Sequence, residues 1–191
     1  FQRALKADNR AVEVNGILAG LFAEKGETEK ADSLFRILDS EGTLTPDMSL
    51  MMIYGIINKG NFKEAAERTI RLIDQYPQET RYNALLADIY YEDGEREKSD
   101  SIYRKIIESN PDDIENQLMY LMSLVYRQEY SGVSVFLQRV FESDVVDRKR
   151  KIAISQRLAG DSAYIAGNAG SLAETLLLLE NKYPGDEEVM S

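Results

Sequence analysis

The chain contains no cysteine, no histidine and no tryptophan among its 191 residues. Without cysteine there are no disulfides and no thiolate metal sites, so composition leaves the redox compartment open, and cytoplasm and periplasm fit equally well. Without histidine the commonest general base near neutral pH and the commonest transition-metal ligand are missing. With cysteine absent as well, nucleophile–base triads of the usual kinds cannot be assembled, and the expectation is a non-catalytic protein without cofactor or metal. No apolar run approaches the roughly 20 residues that a membrane-spanning helix requires. Positive charge is scarce: 23 Lys and Arg against 33 Asp and Glu give a formal net charge of −10, which argues against nucleic acid as the main partner, because such binding rests on neutralising phosphates.

What the sequence does contain is a repeat. Leu18-Ala19, Phe22, Gly26, Ala31 and Phe35 are matched by Leu86-Ala87, Tyr90, Gly94, Ser99 and Tyr103, two steps of 34 residues later. In each copy the apolar pair and the aromatic fall three and four apart, so they share one face of a first helix. Gly26, Gly60, Gly94 and Gly167 mark tight turns, where a helix end takes a left-handed conformation at little cost to glycine. A second helix then packs back through Ala31 or Ala65 and a bulky residue such as Phe35 or Tyr103. Pro77, Pro111 and Pro184 close three copies, because proline cannot continue a helix and suits the first turn of the next.

These anchors divide the chain into repeats 12–45, 46–79, 80–113, 114–147 and 153–186, with 148–152 as an insertion. Residues 1–11 read as the second helix of an earlier repeat, and 187–191 as the start of a further first helix. The pattern resembles the tetratricopeptide repeat family, whose signature places Leu and a small residue, then an aromatic, then Ala, Phe and Pro at these offsets. The departures are specific. Asn15, Ser49, Asn83, Gln117 and Gln156 stand where the signature has Trp, Ile53 and Leu121 where it has a small residue, and Thr69 where it has the second aromatic. The fourth repeat lacks both the turn glycine (Gln128) and the closing proline (Val145), so its helix pair is expected to splay or shift.

The resemblance implies an all-α fold, a right-handed superhelical α-solenoid of helix-turn-helix repeats, and a surface that binds a protein or peptide. It also implies that the first helices line a concave groove through positions 2, 5, 9, 12 and 13 of each repeat. Those positions hold Gly16 and Gly20, then Leu50, Tyr54, Ile57 and Asn58, then Arg81, Ala84, Asp88, Tyr91 and Glu92. They continue with Leu118, Met122, Val125 and Tyr126, and with Arg157, Asp161, Tyr164 and Ile165. The expected partner-binding residues are Leu50, Tyr54, Asp88, Tyr91, Glu92, Leu118, Met122, Tyr126, Arg157, Asp161 and Tyr164. Family members that grip a terminal carboxylate use Lys, Asn and Arg at such places, where this chain has glycine or hydrophobics, so a carboxylate clamp is not expected.

Two features compete with that reading. Asp88, Glu92 and Asp161 could form a calcium site or acid–base pair, yet such a pair needs burial or a partner to perturb it, and solvated acids are the plainer account. Arg148-Lys149-Arg150-Lys151 could dock an acidic partner or membrane surface, but short charge runs are usually just solvated, and an exposed loop or first helical turn is expected. Two functions remain. The groove recognises an extended peptide or amphipathic helix, or the segment is structural and its apolar surface is filled by its own longer chain or by a second copy through uncapped repeat ends.

Overall fold

The computed structural model describes residues 2–185, with the side chains of residues 2–10 and Glu24 left out of account. Among the described residues there are ten helices and no strand: α1 Gln2–Glu24, α2 Thr28–Ser40, α3 Pro46–Asn58, α4 Phe62–Gln75, α5 Thr80–Glu92, α6 Arg96–Ser109, α7 Ile114–Tyr126, α8 Val133–Glu142, α9 Arg148–Ala159 and α10 Ser162–Lys182. The described residues form two compact bodies, divided between Asp100 and Ser101. Each is described by itself.

Local sequence explains where the helices stop. Gly26, Gly60 and Gly94 take φ of 74°, 74° and 83°. In each turn the following N–H reaches back five residues, Glu27 to the Phe22 carbonyl at 2.8 Å, Asn61 to Ile56 at 3.2 Å and Glu95 to Tyr90 at 2.8 Å, which satisfies carbonyls that the helix end leaves open. Thr45 caps α3 by accepting from the Met48 N–H at 3.3 Å, and Pro46 supplies its first turn. Asp113 and Asp147 cap α7 and α9 in the same way.

In the N-terminal body the core is Ala19, Phe35, Leu38, Met52, Ile53, Ile56, Ala65, Leu72, Tyr82, Leu86, Ala87 and Ile89. The small residues let helices approach and the large ones fill the space between them. Thr69, buried where an aromatic was expected, satisfies its hydroxyl on the Ala65 carbonyl at 2.8 Å. In the C-terminal body one cluster joins α7, α8, α9 and α10 through Leu121, Leu124, Leu137, Val140, Phe141, Ile154, Leu158, Tyr164 and Leu179.

Four expectations are corrected. The break expected around residue 11 is absent, because α1 runs through without interruption from Gln2 to Glu24, and no Gly or Pro stands before Gly16 to stop it. Residues 148–152 are not a separate insertion: Asp147 accepts from the Arg150 N–H at 3.0 Å, and α9 begins at Arg148. The run's last cation, Lys151, is buried rather than exposed. Nor does the last helix pair turn at Gly167. It turns at Gly160–Asp161, where Asp161 caps α10 by accepting from Ala163 N–H at 2.9 Å and Tyr164 N–H at 3.2 Å. Next to Gly167, α10 only kinks, at Asn168 (φ −135°, ψ 18°), whose side-chain amide donates to the Tyr164 carbonyl four residues back at 3.1 Å.

The fourth helix pair departs from the others as its missing glycine suggests. Gln128 takes φ 57° in glycine's stead, and Glu129 N–H still reaches the Leu124 carbonyl at 2.9 Å. The chain then needs Tyr130 and Gly132 before α8 can start, so α8 is delayed and has only 10 residues. Asp186 and residues 187–191, where the last repeat ends and a further first helix was expected, lie outside the described residues, as does Phe1.

Candidate functional site

The candidate residues fall on first helices, so the question is which of them keep solvent-facing surface. In the N-terminal body, α3 buries Met52, Ile53 and Ile56 and turns Tyr54 outward with 53% of its surface exposed. Leu50, one turn earlier, is half-buried. On α5 the equivalent pattern buries Leu86, Ala87 and Ile89 and leaves Asp88 and Glu92 exposed and Tyr91 half-buried. Asp88 follows Tyr54 by one repeat length, so the two occupy the same place on successive first helices. At the N-terminal end of α5, Arg81 donates to the Tyr82 hydroxyl at 3.2 Å and pairs with Glu79 at 3.0 Å. At the other end of α5, the Arg96 guanidinium lies over the Tyr91 ring, 5.2 Å from its centre.

Gly16 and Gly20 do not leave an open floor. The Met48 side chain of α3 covers Gly16 so closely that a Cβ there would lie 1.9 Å from the methyl carbon, and Met51 covers Gly20 with its sulfur at 3.5 Å from such a Cβ. Gly16 serves close packing of α1 on α3, whereas a Cβ at Gly20 would make only ordinary contact with Met51.

In the C-terminal body the candidates divide. Met122 and Tyr126 on α7 are exposed, at 43% and 64%, and Arg157 on α9 is exposed as well. Leu118 and Tyr164 are buried members of the core cluster and offer no surface to a partner. Ala84 and Val125 are buried too. Asp161 is occupied by its own chain: besides capping α10, it accepts from the Tyr130 hydroxyl and from Gln128 Nε2 at 3.2 Å. The Tyr130 hydrogen bond, ahead of the backbone amides, holds its carboxyl below the usual range. Burial, and then the same bond, push the Tyr130 phenol up to about 12. These assignments replace the expected grouping of Asp161 and Tyr164 with Arg157 on one groove wall. Among the described residues no group of three or more carboxylates could hold a metal ion.

Sequence reasoning missed a second polar centre. Lys151 and Lys182 converge on the C-terminal end of α8, Lys151 donating to the Phe141 carbonyl at 3.0 Å and to that of Ser143. Lys182 donates to the carbonyls of Glu142 at 3.1 Å and Ser143 at 3.2 Å and pairs with Asp144 at 2.5 Å. Cations at a helix C-terminus satisfy its unpaired carbonyls and its dipole. The only signal in the sequence was the run of cations itself, and its spacing showed nothing of which would be buried. Arg150, in contrast, pairs outward with Glu115 of α7 through two bonds of 3.0 Å.

This is a helical-repeat fold whose first helices bury one face and turn another to solvent. Residues 85–113 match the family model of the tetratricopeptide repeat. Among solved structures the chain is similar to PilF of Pseudomonas aeruginosa (16% identity, TM-score 0.58, covering 99% of this chain and 84% of that one). It is also similar to a thermophilic tetratricopeptide-repeat protein of Thermus thermophilus (14%, 0.58, 94% and 95%). A third likeness is to YrrB, a tetratricopeptide-repeat protein described as having an unusual peptide-binding site (14%, 0.50, 100% and 95%). No sequence among the curated proteins matches. The chain therefore carries a tetratricopeptide repeat at residues 85–113 and has the helical-repeat fold of an α-solenoid. That family is typically non-catalytic and scaffolds protein–protein interactions. Among the described residues no helix is long and apolar enough to cross a membrane.

Proposed function

We propose that the exposed faces of α3 and α5, and separately those of α7 and α9, are recognition surfaces for an extended peptide or amphipathic helix of a partner protein. The observation that carries this is the outward presentation of Tyr54, Met122 and Tyr126 from helices whose neighbouring apolar residues are buried. Tyr and Met are suited to it, one offering rigid amphipathic area and the other an adaptable apolar chain. YrrB's described peptide site favours the same reading for this fold. Because α9 begins at Arg148, one repeat length after Ile114, we read the fifth repeat from there. Its groove positions then fall on Lys149, Ile152, Gln156, Ala159 and Gly160, all exposed except the buried Ile152, in place of Arg157, Asp161 and Tyr164. The test is a pull-down from lysate with the full chain and with Tyr54→Ser and Tyr126→Ser variants. A partner retained equally by all three proteins would overturn the reading.

A second reading is favoured by α1, where Val14, Ile17, Leu18 and Leu21 form one exposed apolar stripe. In it, the segment is structural, and the stripe is covered by a second copy or by more of the same protein. Light scattering after size exclusion tests the second-copy form of this reading, which a monomer at high concentration removes.

A further inference from the structure

We propose that copies of this chain associate head to tail, α10 of one copy docking on the exposed α1 stripe of another. This rests on the reading in which other protein covers that stripe, and names the element that does so. The repeat register carries it. Val14, Leu18 and Leu21 of α1 stand two repeat lengths before Tyr82, Leu86 and Ile89 of α5. Each of the α1 residues is at least 39% exposed, whereas their α5 counterparts are at most 7% exposed. The difference lies in the neighbour. The second helix before α5, α4, packs on it, and there the rings of Tyr76 and Tyr82 meet edge to face with centres 6.3 Å apart. The N-terminal half of α1 cannot supply that cover, because α1 is one unbroken helix from Gln2 to Glu24 and a helix does not fold back over its own face. What fits the stripe is the outer face of a second helix.

Such a face is presented by α10. It ends as α4 does, Tyr183-Pro184 matching Tyr76-Pro77, with cap dihedrals of φ −131°, ψ 64° against φ −132°, ψ 64°. In both, the tyrosine N–H reaches the carbonyl of the leucine four residues back, Leu179 or Leu72. Aligned on that end, Leu172 and Leu179 are buried as Ala65 and Leu72 are, so both helices turn the same face to their own core. The adjoining face separates them. Ala66 and Thr69 of α4 are buried, whereas Ala173 and Leu177 of α10 are exposed and Leu176 is half-buried, three and four residues apart on one side. Among the described residues, α1 and α10 thus each leave open one half of the contact that α4 and α5 make within the chain. Two different surfaces meet in it, so nothing stops the association at two copies, and chains add end to end.

The test is sedimentation velocity of the full chain over a wide concentration range, with two variants that each block one surface. Val14→Glu with Leu21→Glu charges the α1 stripe, and Ala173→Glu with Leu177→Glu charges the α10 face. All four side chains are exposed, so both variants should keep wild-type helicity by circular dichroism. Should either lose it, serine at the same positions takes its place. The wild-type mass is expected to climb with concentration past that of two chains, and each variant alone to stay at one. Mixed in equal amounts, the variants should form a pair and nothing larger, since each supplies the surface that the other lacks. A mixture that stays monomeric while the wild type associates overturns the proposal. A wild-type mass that stops at two chains, and is abolished by the α1 variant but not by the α10 variant, overturns it as well and leaves standing the reading that a second copy covers the stripe. A wild type that is monomeric throughout, or that associates regardless of both variants, removes the second-copy reading together with this inference.

Discussion

Lys151, on α9, is buried to its tip and donates from Nζ to the Phe141 carbonyl oxygen on α8 at 3.0 Å. It is the one member of a four-cation run that the fold takes inside, and it does so at the end of a helix that needs cations. Burial, ahead of the neighbouring Lys182, pulls its pKa down from 10.5 to about 8.

Stability should therefore rise with pH between about 8 and 10. In that window the unfolded chain binds a proton at Lys151 that the folded chain has lost, so deprotonation favours folding; below about 8 both forms are charged and the gain is absent. The expected rise is roughly 1–3 kcal/mol, read as an increase in urea midpoint from pH 7.5 to 9.5. Above about 10 Tyr130 acts oppositely, because its raised pKa stabilises the fold only while the phenol is protonated. Lys151→Met should flatten the profile below pH 9.5, and a wild-type midpoint that falls over this range refutes the assignment.

Gln128 and Gly94 should respond oppositely to glycine chemistry. Both have positive φ, 57° and 83°, a conformation costing a residue with a Cβ roughly 1–2 kcal/mol. Gly94→Val should lose about that much. Gln128→Gly should gain about 0.5–1 kcal/mol, the strain relieved exceeding the exposed hydrogen bond lost to Asp161. Thermal melts followed by circular dichroism decide it; a loss in both variants contradicts the strain argument.

Tyr103→Ala should cost roughly 3–5 kcal/mol. The ring is buried, stacked on Tyr120 at 4.9 Å, with the Arg127 guanidinium 5.2 Å from its centre, and its removal opens a cavity beside a buried cation. A variant that unfolds at the wild-type urea concentration would show that this face is not core.

Two tyrosines proposed together for one groove should behave as different kinds of residue. Tyr164→Ala, at 0% exposure, should destabilise by about 3 kcal/mol or more, whereas Tyr126→Ala, at 64%, should stay within about 0.5 kcal/mol of wild type. Paired urea titrations suffice, and comparable losses at both positions would return Tyr126 to the core.

The turns at Gly26, Gly60 and Gly94 were legible because their causes are local: a left-handed residue and a chain reversal are written within six residues. Periodicity likewise placed Phe35 and Tyr103 inside, since a helix commits every third or fourth side chain to one face. The same reasoning failed at Gly167, where glycine's identity was taken for a turn. The stop at Gly160 and the cap at Asp161, seven residues earlier, reverse the chain instead.

By itself, then, the sequence determined the helical class, the repeat length and the first three turns, all of which follow from short-range geometry. Only the tertiary structure decided that Lys151 is inside while Arg150 faces Glu115, that Met48 fills the space over Gly16, and that Tyr164 is core while Tyr126 is surface. Those outcomes depend on which helix lies against which face, and with what register. No periodicity within one helix carries that information, because burial is a property of the neighbour as much as of the residue.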